Sequence, residues 1–373
     1  MDHLRLRGVA VLFAAAFGCA FAAGKEPLLI GQTADFSGPQ ASPVKETTEA
    51  AKAYFDWINK QGGVNGRQIV LESVDDGFDP KRTVENATKL AATRPILALM
   101  LSRGTANAEA LIPFTREKKI LVLAPVGGSE KMHRPADHYL FNIRPTHRSE
   151  AERAVEQLSA QGLRRIAVAY VDDAMGNDAM KGAIAGLKTV SLEPAALVTI
   201  PRGEPKVEAA VEALAKVNPD AIVGLCIAKS CAALVKQLRE KGVYSQFVSM
   251  SNTSSAGYVK DLGPAARGVI VTQVYPYPFS DATRASKDFR VLAKEYKLAS
   301  SYSAMEGFLA AKVMTEALRR AGPNPTRESV IKGMESLNRF DVGGFVIDFG
   351  NHSRSGSEHM EMTMIGKDGK FVR

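Results

Sequence analysis

The chain has 373 residues, 45% hydrophobic and 24% charged, the balance of a soluble globular protein long enough for two lobes. This excludes a disordered, collagen-like or multi-span membrane chain. The formal net charge of +8 is spread without a dense Lys/Arg run, so nucleic acid is not indicated and anionic small ligands are mildly favoured.

The chain opens with an export pattern. Arg5 and Arg7 precede a mostly apolar run from Gly8 to Phe21, which is too short to span a bilayer. Ala20-Phe21-Ala22 fits the small-x-small rule of signal peptidase, so residues 1–22 read as a cleaved signal peptide and the mature protein as periplasmic. Lipidation at Cys19 is the alternative, with atypical residues just before it. Cys226 and Cys231 remain after cleavage, and an exported pair at a strand-to-helix junction reads as a possible disulfide.

Short apolar runs then alternate with amphipathic ones. Strands are predicted at 28–31, 69–74, 96–100 and 120–123, with helices at 46–59, 80 onward and 105–116. Gly62-Gly63 ends the first helix, and Asp79-Pro80 starts the second with an N-cap and a proline at its first position. The pattern restarts with helices at 148–160, 174–188, 206–216 and 230–241. Strands alternate with them at 166–171, 197–200, 221–226, 246–250 and 268–274. Two α/β halves with mostly parallel sheets and helices on both faces follow from this order. After the stiff Tyr275-Pro276-Tyr277-Pro278-Phe279 segment come helices at 282–296, 302–320 and 327–336. A hairpin-like tail over 344–349 and 360–365 ends the chain.

No nucleophile elbow, P-loop, zinc-protease motif or dinucleotide fingerprint is present. Asp75-Asp76 and Asp172-Asp173 follow strands and precede helices. Adjacent residues there point opposite ways, so they read as turn and cap residues rather than acid/base pairs. His352 and His359 read as surface residues, and Trp57 as core. What remains is three small polar loops after strand C-termini, where open α/β sheets bind ligands: 35–39 with Ser37, 102–105 with Arg103, Gly104 and Thr105, and 125–129 with Val126, Gly127, Gly128 and Ser129. Glycine lets a ligand approach the backbone, and helix-starting hydroxyls and N–H groups suit an anion. Arg103 could pair with a carboxylate or lie solvated on the rim.

These residues carry a resemblance. Residues 31–39, the run Ile58-Asn59-Lys60-Gln61-Gly62-Gly63-Val64-Asn65-Gly66-Arg67, Asp75-Asp76 with Asp79-Pro80, Gly104-Thr105 with Ile112-Pro113, residues 139–145 and residues 307–311 are similar, in order, to leucine/isoleucine/valine-binding periplasmic receptors of ABC importers. The resemblance covers essentially the mature chain. It implies a type I periplasmic-binding fold: two Rossmann-like lobes, residues 23–145 plus 275–341 and residues 146–274 plus 342–373, joined by three hinge crossings and closing like a Venus flytrap. It implies no enzyme activity, no cofactor and no metal, a small-molecule carboxylate ligand, an ABC permease in the inner membrane as partner, and a monomer. Thr105 and residues 127–129 fall on the family's first-lobe ligand loops, with Val126 and Gly127 offering carbonyls. In the second lobe Met175, Ile227, Asn252 and Thr253 stand where amino-acid binders carry aromatic residues and a glutamate for the ammonium. The ligand is therefore expected to be an amino acid or an amine-free organic or aromatic acid. Tyr275 and Tyr302 could wall the cleft, or Tyr275 could pack the hinge. A sensory receptor for a membrane kinase or chemoreceptor is the alternative function, and an exported hydrolase a more distant one.

Overall fold

The computed structural model describes residues 25–203 and 205–373. The expected signal peptide and Cys19 lie outside the described residues. The chain runs β1 (Leu28–Ala34), α1 (Ala41–Lys60), β2 (Ile69–Asp75), α2 (Pro80–Thr93), β3 (Ala98–Met100), α3 (Thr105–Lys118), β4 (Val122–Leu123) and β5 (Leu140–Phe141). These strands form one parallel sheet in the order β2-β1-β3-β4-β5. All seven residues of β1 are buried, because helices cover both faces of the sheet.

The grammar then repeats as α4 (His147–Ala160), β6 (Ile166–Val171), α5 (Ala174–Thr189), β7 (Ala196–Ile200), α6 (Glu208–Val217), β8 (Ala221–Leu225), α7 (Ala228–Glu240), β9 (Gln246–Ser249), α8 (Ala256–Leu262) and β10 (Ile270–Gln273). Its parallel strands lie in the order β7-β6-β8-β9-β10, which matches the first sheet position for position. Edge strand β7 alternates half-buried and exposed residues, while central β8 is buried throughout.

Helices α9 (Arg284–Tyr296), α10 (Tyr302–Arg320) and α11 (Arg327–Glu335) pack back against the first lobe. The Tyr54 and Phe308 rings meet edge to face at 5.4 Å. Strands β11 (Phe340–Asp341) and β12 (Val346–Ile347) pair as a small hairpin; β13 (Glu361–Ile365) extends the second sheet antiparallel to β10, and β14 (Phe371–Val372) pairs antiparallel with β13 at its edge.

Four expectations change. The first helix starts at Ala41 rather than 46, because Pro43 sits in the first turn, where no N–H is needed. The two tail strands do not pair with each other; one joins β11 and the other the second sheet. Residues 342–356, expected with the second lobe, pack on the first: Asn142 donates its N–H to the Arg354 carbonyl, and the Phe141 and Phe349 rings meet at 5.1 Å. Trp57 is 39% exposed, with its ring tilted against Tyr54, and is not core.

Gly307 sets how close α10 comes to α1. A Cβ there would lie 1.9 Å from the Thr47 carbonyl oxygen, and backbone cannot step aside as a side chain can. Gly307→Val is expected to cost about 3 kcal/mol, the upper end of ordinary overpacking, read as a lower urea midpoint with an unchanged slope.

Candidate functional site

In a parallel sheet every strand ends, and every following helix begins, on the same edge. The two sheets turn these edges toward each other. One cleft is lined by residues that follow β1 (Gln40), β2 (Phe78), β3 (Arg103, Gly104, Thr105, Ala106), β4 (Val126), β6 (Asp173, Met175), β7 (Arg202), β8 (Ile227) and β9 (Asn252), with His147 at the start of α4. Its free interior is about 20 Å³, roughly the space of one water, so a solute enters only if the lobes part.

The helix starts are its main electrostatic feature. Helices α3 and α7, one from each lobe, begin without a side-chain cap, with Gly104 and Ile227 at their N-cap positions on the cleft wall. Their first N–H groups and dipoles therefore favour an anion in the gap. Thr105 opens α3, and its buried hydroxyl has no partner in the protein. By contrast α5 is capped by Asp173, which accepts from the N–H groups of Met175 and Gly176.

Two guanidinium groups cross from lobe to lobe. Arg103 is 2% exposed; it donates to the Asn252 carbonyl at 2.6 Å and to Glu306 Oε2 at 3.5 Å. It is thus neither solvated on a rim nor free for a ligand alone. Arg202 donates to the Phe78 carbonyl at 2.9 Å and to Asn107 Oδ1 at 3.3 Å, lies over the Phe78 ring at 4.3 Å, and pairs with Asp173 at 3.5 Å. Burial raises the Asp173 carboxyl above the usual range. Phe78, Val171, Met175 and Ile227 form a small apolar cluster that joins both lobes.

Behind the cleft lies a buried charge network. Arg144 donates to Glu150 Oε1 at 2.5 Å, and Glu150 also accepts from Thr272 and from the backbone and hydroxyl of Ser251. Tyr275 donates to Glu306 at 2.8 Å. Burial first, and the Glu306 charge second, push the Tyr275 phenol well up.

The expected site residues thus divide. Arg103, Gly104, Thr105, Val126, Met175, Ile227 and Asn252 come together in the cleft. Seven others do not line it. The Ser37 hydroxyl is drawn to Asp75, Ser129 to Glu109, and Thr253 to Ser249 and Met250. Gly127 packs against Thr105 Cα and Met132, and Gly128 against His147. Tyr275 is held by Glu306, and Tyr302 sits in an aromatic cluster with Tyr277, Phe279 and Phe371, its hydroxyl on Glu361. The Cys226–Cys231 disulfide is present, with Cα atoms 5.5 Å apart, and it staples the turn that carries Ile227. Asp75 and Asp76 act as turn residues, accepting from Phe36, Gly77 and Phe78 backbone N–H groups.

Sequence reasoning missed Gln40, Phe78, Ala106, His147, Asp173 and Arg202 as lining residues. Position after a strand end could have found five of them. His147 carried no signal, because it follows an irregular crossing rather than a recognisable strand. Among the described residues no cluster of metal-ligating groups occurs, and no helix is long and apolar enough to cross a membrane.

The periplasmic binding protein family matches residues 27–370. The chain belongs to this family. A Leu/Ile/Val-binding protein homologue from Brucella melitensis is 23% identical over 335 residues, 87% of each chain. A substrate-binding periplasmic protein from Ralstonia solanacearum superposes with a TM-score of 0.88 at 33% identity, over 92% of this chain and 99% of that one. A solute-binding protein of an ABC transporter from R. palustris, in complex with benzoate, has the same fold, with a TM-score of 0.83 at 17% identity over 93% and 95% of the two chains. The chain is therefore a periplasmic binding protein, a binder rather than an enzyme.

His133 and His147 are buried beside Arg144 and are held neutral: His133 falls to about 3 and His147 well below its usual value, through burial first and the Arg144 charge second. Their folded values lie below the unfolded one, so the stability they permit is present above pH 6.5 and lost as pH falls beneath it. Urea melts at pH 7 and pH 5 should differ by about 2 kcal/mol per histidine. His133→Gln should remove about half of that difference.

Proposed function

We propose that this protein is the exported receptor of an ABC importer and that it captures a small carboxylate without an amine. The carrying observation is that two uncapped helix starts, α3 and α7, face one cleft from opposite lobes beside the unpartnered Thr105 hydroxyl. Among the described residues the only acid lining the cleft is Asp173, and Arg202 already occupies it. Among the described lining residues an ammonium would find no free carboxylate, the partner that makes such hydrogen bonds strong. The apolar cluster around Phe78 and Met175 suits a hydrocarbon or aromatic body, in keeping with the benzoate held by the R. palustris protein. Residues 1–22 direct export, and a permease of the inner membrane receives the closed form.

The lobes part about three crossings: near Pro145 and Thr146, near Val274 and Tyr275, and between residues 356 and 361. The last lies later than the sequence alone suggests, since Gly356 still donates to Asn142 of the first lobe and β13 begins at Glu361. Motion about them opens the cleft, and closure replaces the ligand's hydration with fixed dipoles.

Calorimetry against a panel of amine-free monocarboxylates and branched-chain amino acids tests the reading, with mass spectrometry of solutes released on denaturation. An amine-free acid is expected to bind and, at about 100 times its Kd, to stabilise the fold by roughly 2.7 kcal/mol. Binding of zwitterionic amino acids alone would overturn it. Thr105→Val should weaken the acid by about 1–3 kcal/mol while leaving the urea midpoint of the free protein nearly unchanged.

A further inference from the structure

A carboxylate only accepts hydrogen bonds, and the cleft holds more than donors. Asn252 is turned by its own amide: Nδ2 donates to the Cys226 carbonyl at 3.2 Å, which fixes Oδ1 as the remaining group. That Oδ1 is buried and has no partner in the protein. His147, 1% exposed, also lines the cleft, and neither of its ring nitrogens has a partner. A neutral imidazole presents one N–H and one bare nitrogen, so it supplies a further acceptor. Gln40 adds an amide, 3% exposed, whose oxygen is likewise unpartnered.

Buried polar groups of this kind are normally satisfied, and unpartnered acceptors on three residues that line one small space call for a donor from the ligand. The donor is neutral. The positive helix starts of α3 and α7, which favour the carboxylate, would oppose an ammonium in the same place. Arg103 itself is bonded to the Asn252 carbonyl, so a cation beside the Asn252 side chain would meet a guanidinium.

We propose that the captured acid carries a hydroxyl group as well as its carboxylate, and that Asn252 and His147 read this hydroxyl as specificity-determining residues. The inference rests on the acidic-solute reading above. The carboxylate lies toward the helix starts and Thr105. The hydroxyl either donates to Asn252 Oδ1 and accepts from the imidazole N–H, or donates to the bare ring nitrogen. An acid without the hydroxyl leaves those atoms buried and unpaired, and that penalty is the basis of discrimination.

The test is calorimetry of the full mature protein against matched pairs that differ by one hydroxyl: benzoate against its 3- and 4-hydroxy derivatives, 3-phenylpropanoate against 2-hydroxy-3-phenylpropanoate, and butanoate against 2- and 3-hydroxybutanoate. At least one hydroxy acid is expected to bind about 10-fold to 100-fold more tightly than its parent. In Asn252→Leu and His147→Phe that ratio should shrink toward unity, whereas a purely structural role would weaken both members alike and leave the ratio standing. Equal binding of every pair by the native protein overturns the inference and leaves the acidic-solute reading intact. A ratio that survives in both variants also overturns it. Binding of no acid at all overturns the acidic-solute reading, and this inference with it.

Discussion

The parallel sheet imposes one constraint from which the site follows. Its strands all end on one edge, and the helices that follow begin there. The polar loops and positive helix ends are therefore gathered before any ligand-specific residue is chosen. Here the arrangement occurs twice, in the matching orders β2-β1-β3-β4-β5 and β7-β6-β8-β9-β10, and the two edges face each other. The strand order reverses beside β1 and β6, and the residues after β3 and β8, at those reversals, are the ones that start α3 and α7 without caps.

The charges that could have filled this gap are directed elsewhere. Arg103 is neutralised by Glu306, Arg202 by Asp173 and Arg144 by Glu150. Buried pairs of this kind add little net stability, because desolvation offsets their attraction, but removing one member leaves a buried charge exposed to no solvent. Their effect here is geometric. Arg103 ties the loop after β3 to the turn after β9 and to α10, while Glu150 gathers Arg144, Ser251 and Thr272. The cleft walls are held in register by groups whose own charges are already balanced. The net field left in the gap is that of the helix ends and hydroxyls.

Much of the fold was legible in the sequence because strand and helix periods are local. The strand over Ile166–Val171 and the helix over Tyr302–Arg320 stand where their apolar spacing places them. Asp79 caps α2 just before Pro80, as the residue types require. Errors fall where the deciding partner is distant in sequence. Val346–Ile347 pairs with Phe340–Asp341, whereas Glu361–Ile365 joins β10, and nothing local to either strand states that choice. Trp57 lies on an apolar helix face, yet it stays 39% exposed.

The candidate site divides along the same line. The sequence by itself determined the repeated strand–helix order, hence the parallel sheets, the edge on which a ligand must bind, and the small polar loop around Gly104 and Thr105. Only the tertiary structure decided which side chains reach that space. It turned Ser37 and Ser129 away to Asp75 and Glu109, sent Tyr275 to Glu306, and brought in Phe78, His147 and Arg202. The physical reason is that a polar side chain follows the nearest unsatisfied partner, and such partners lie on other elements, at separations no local pattern encodes.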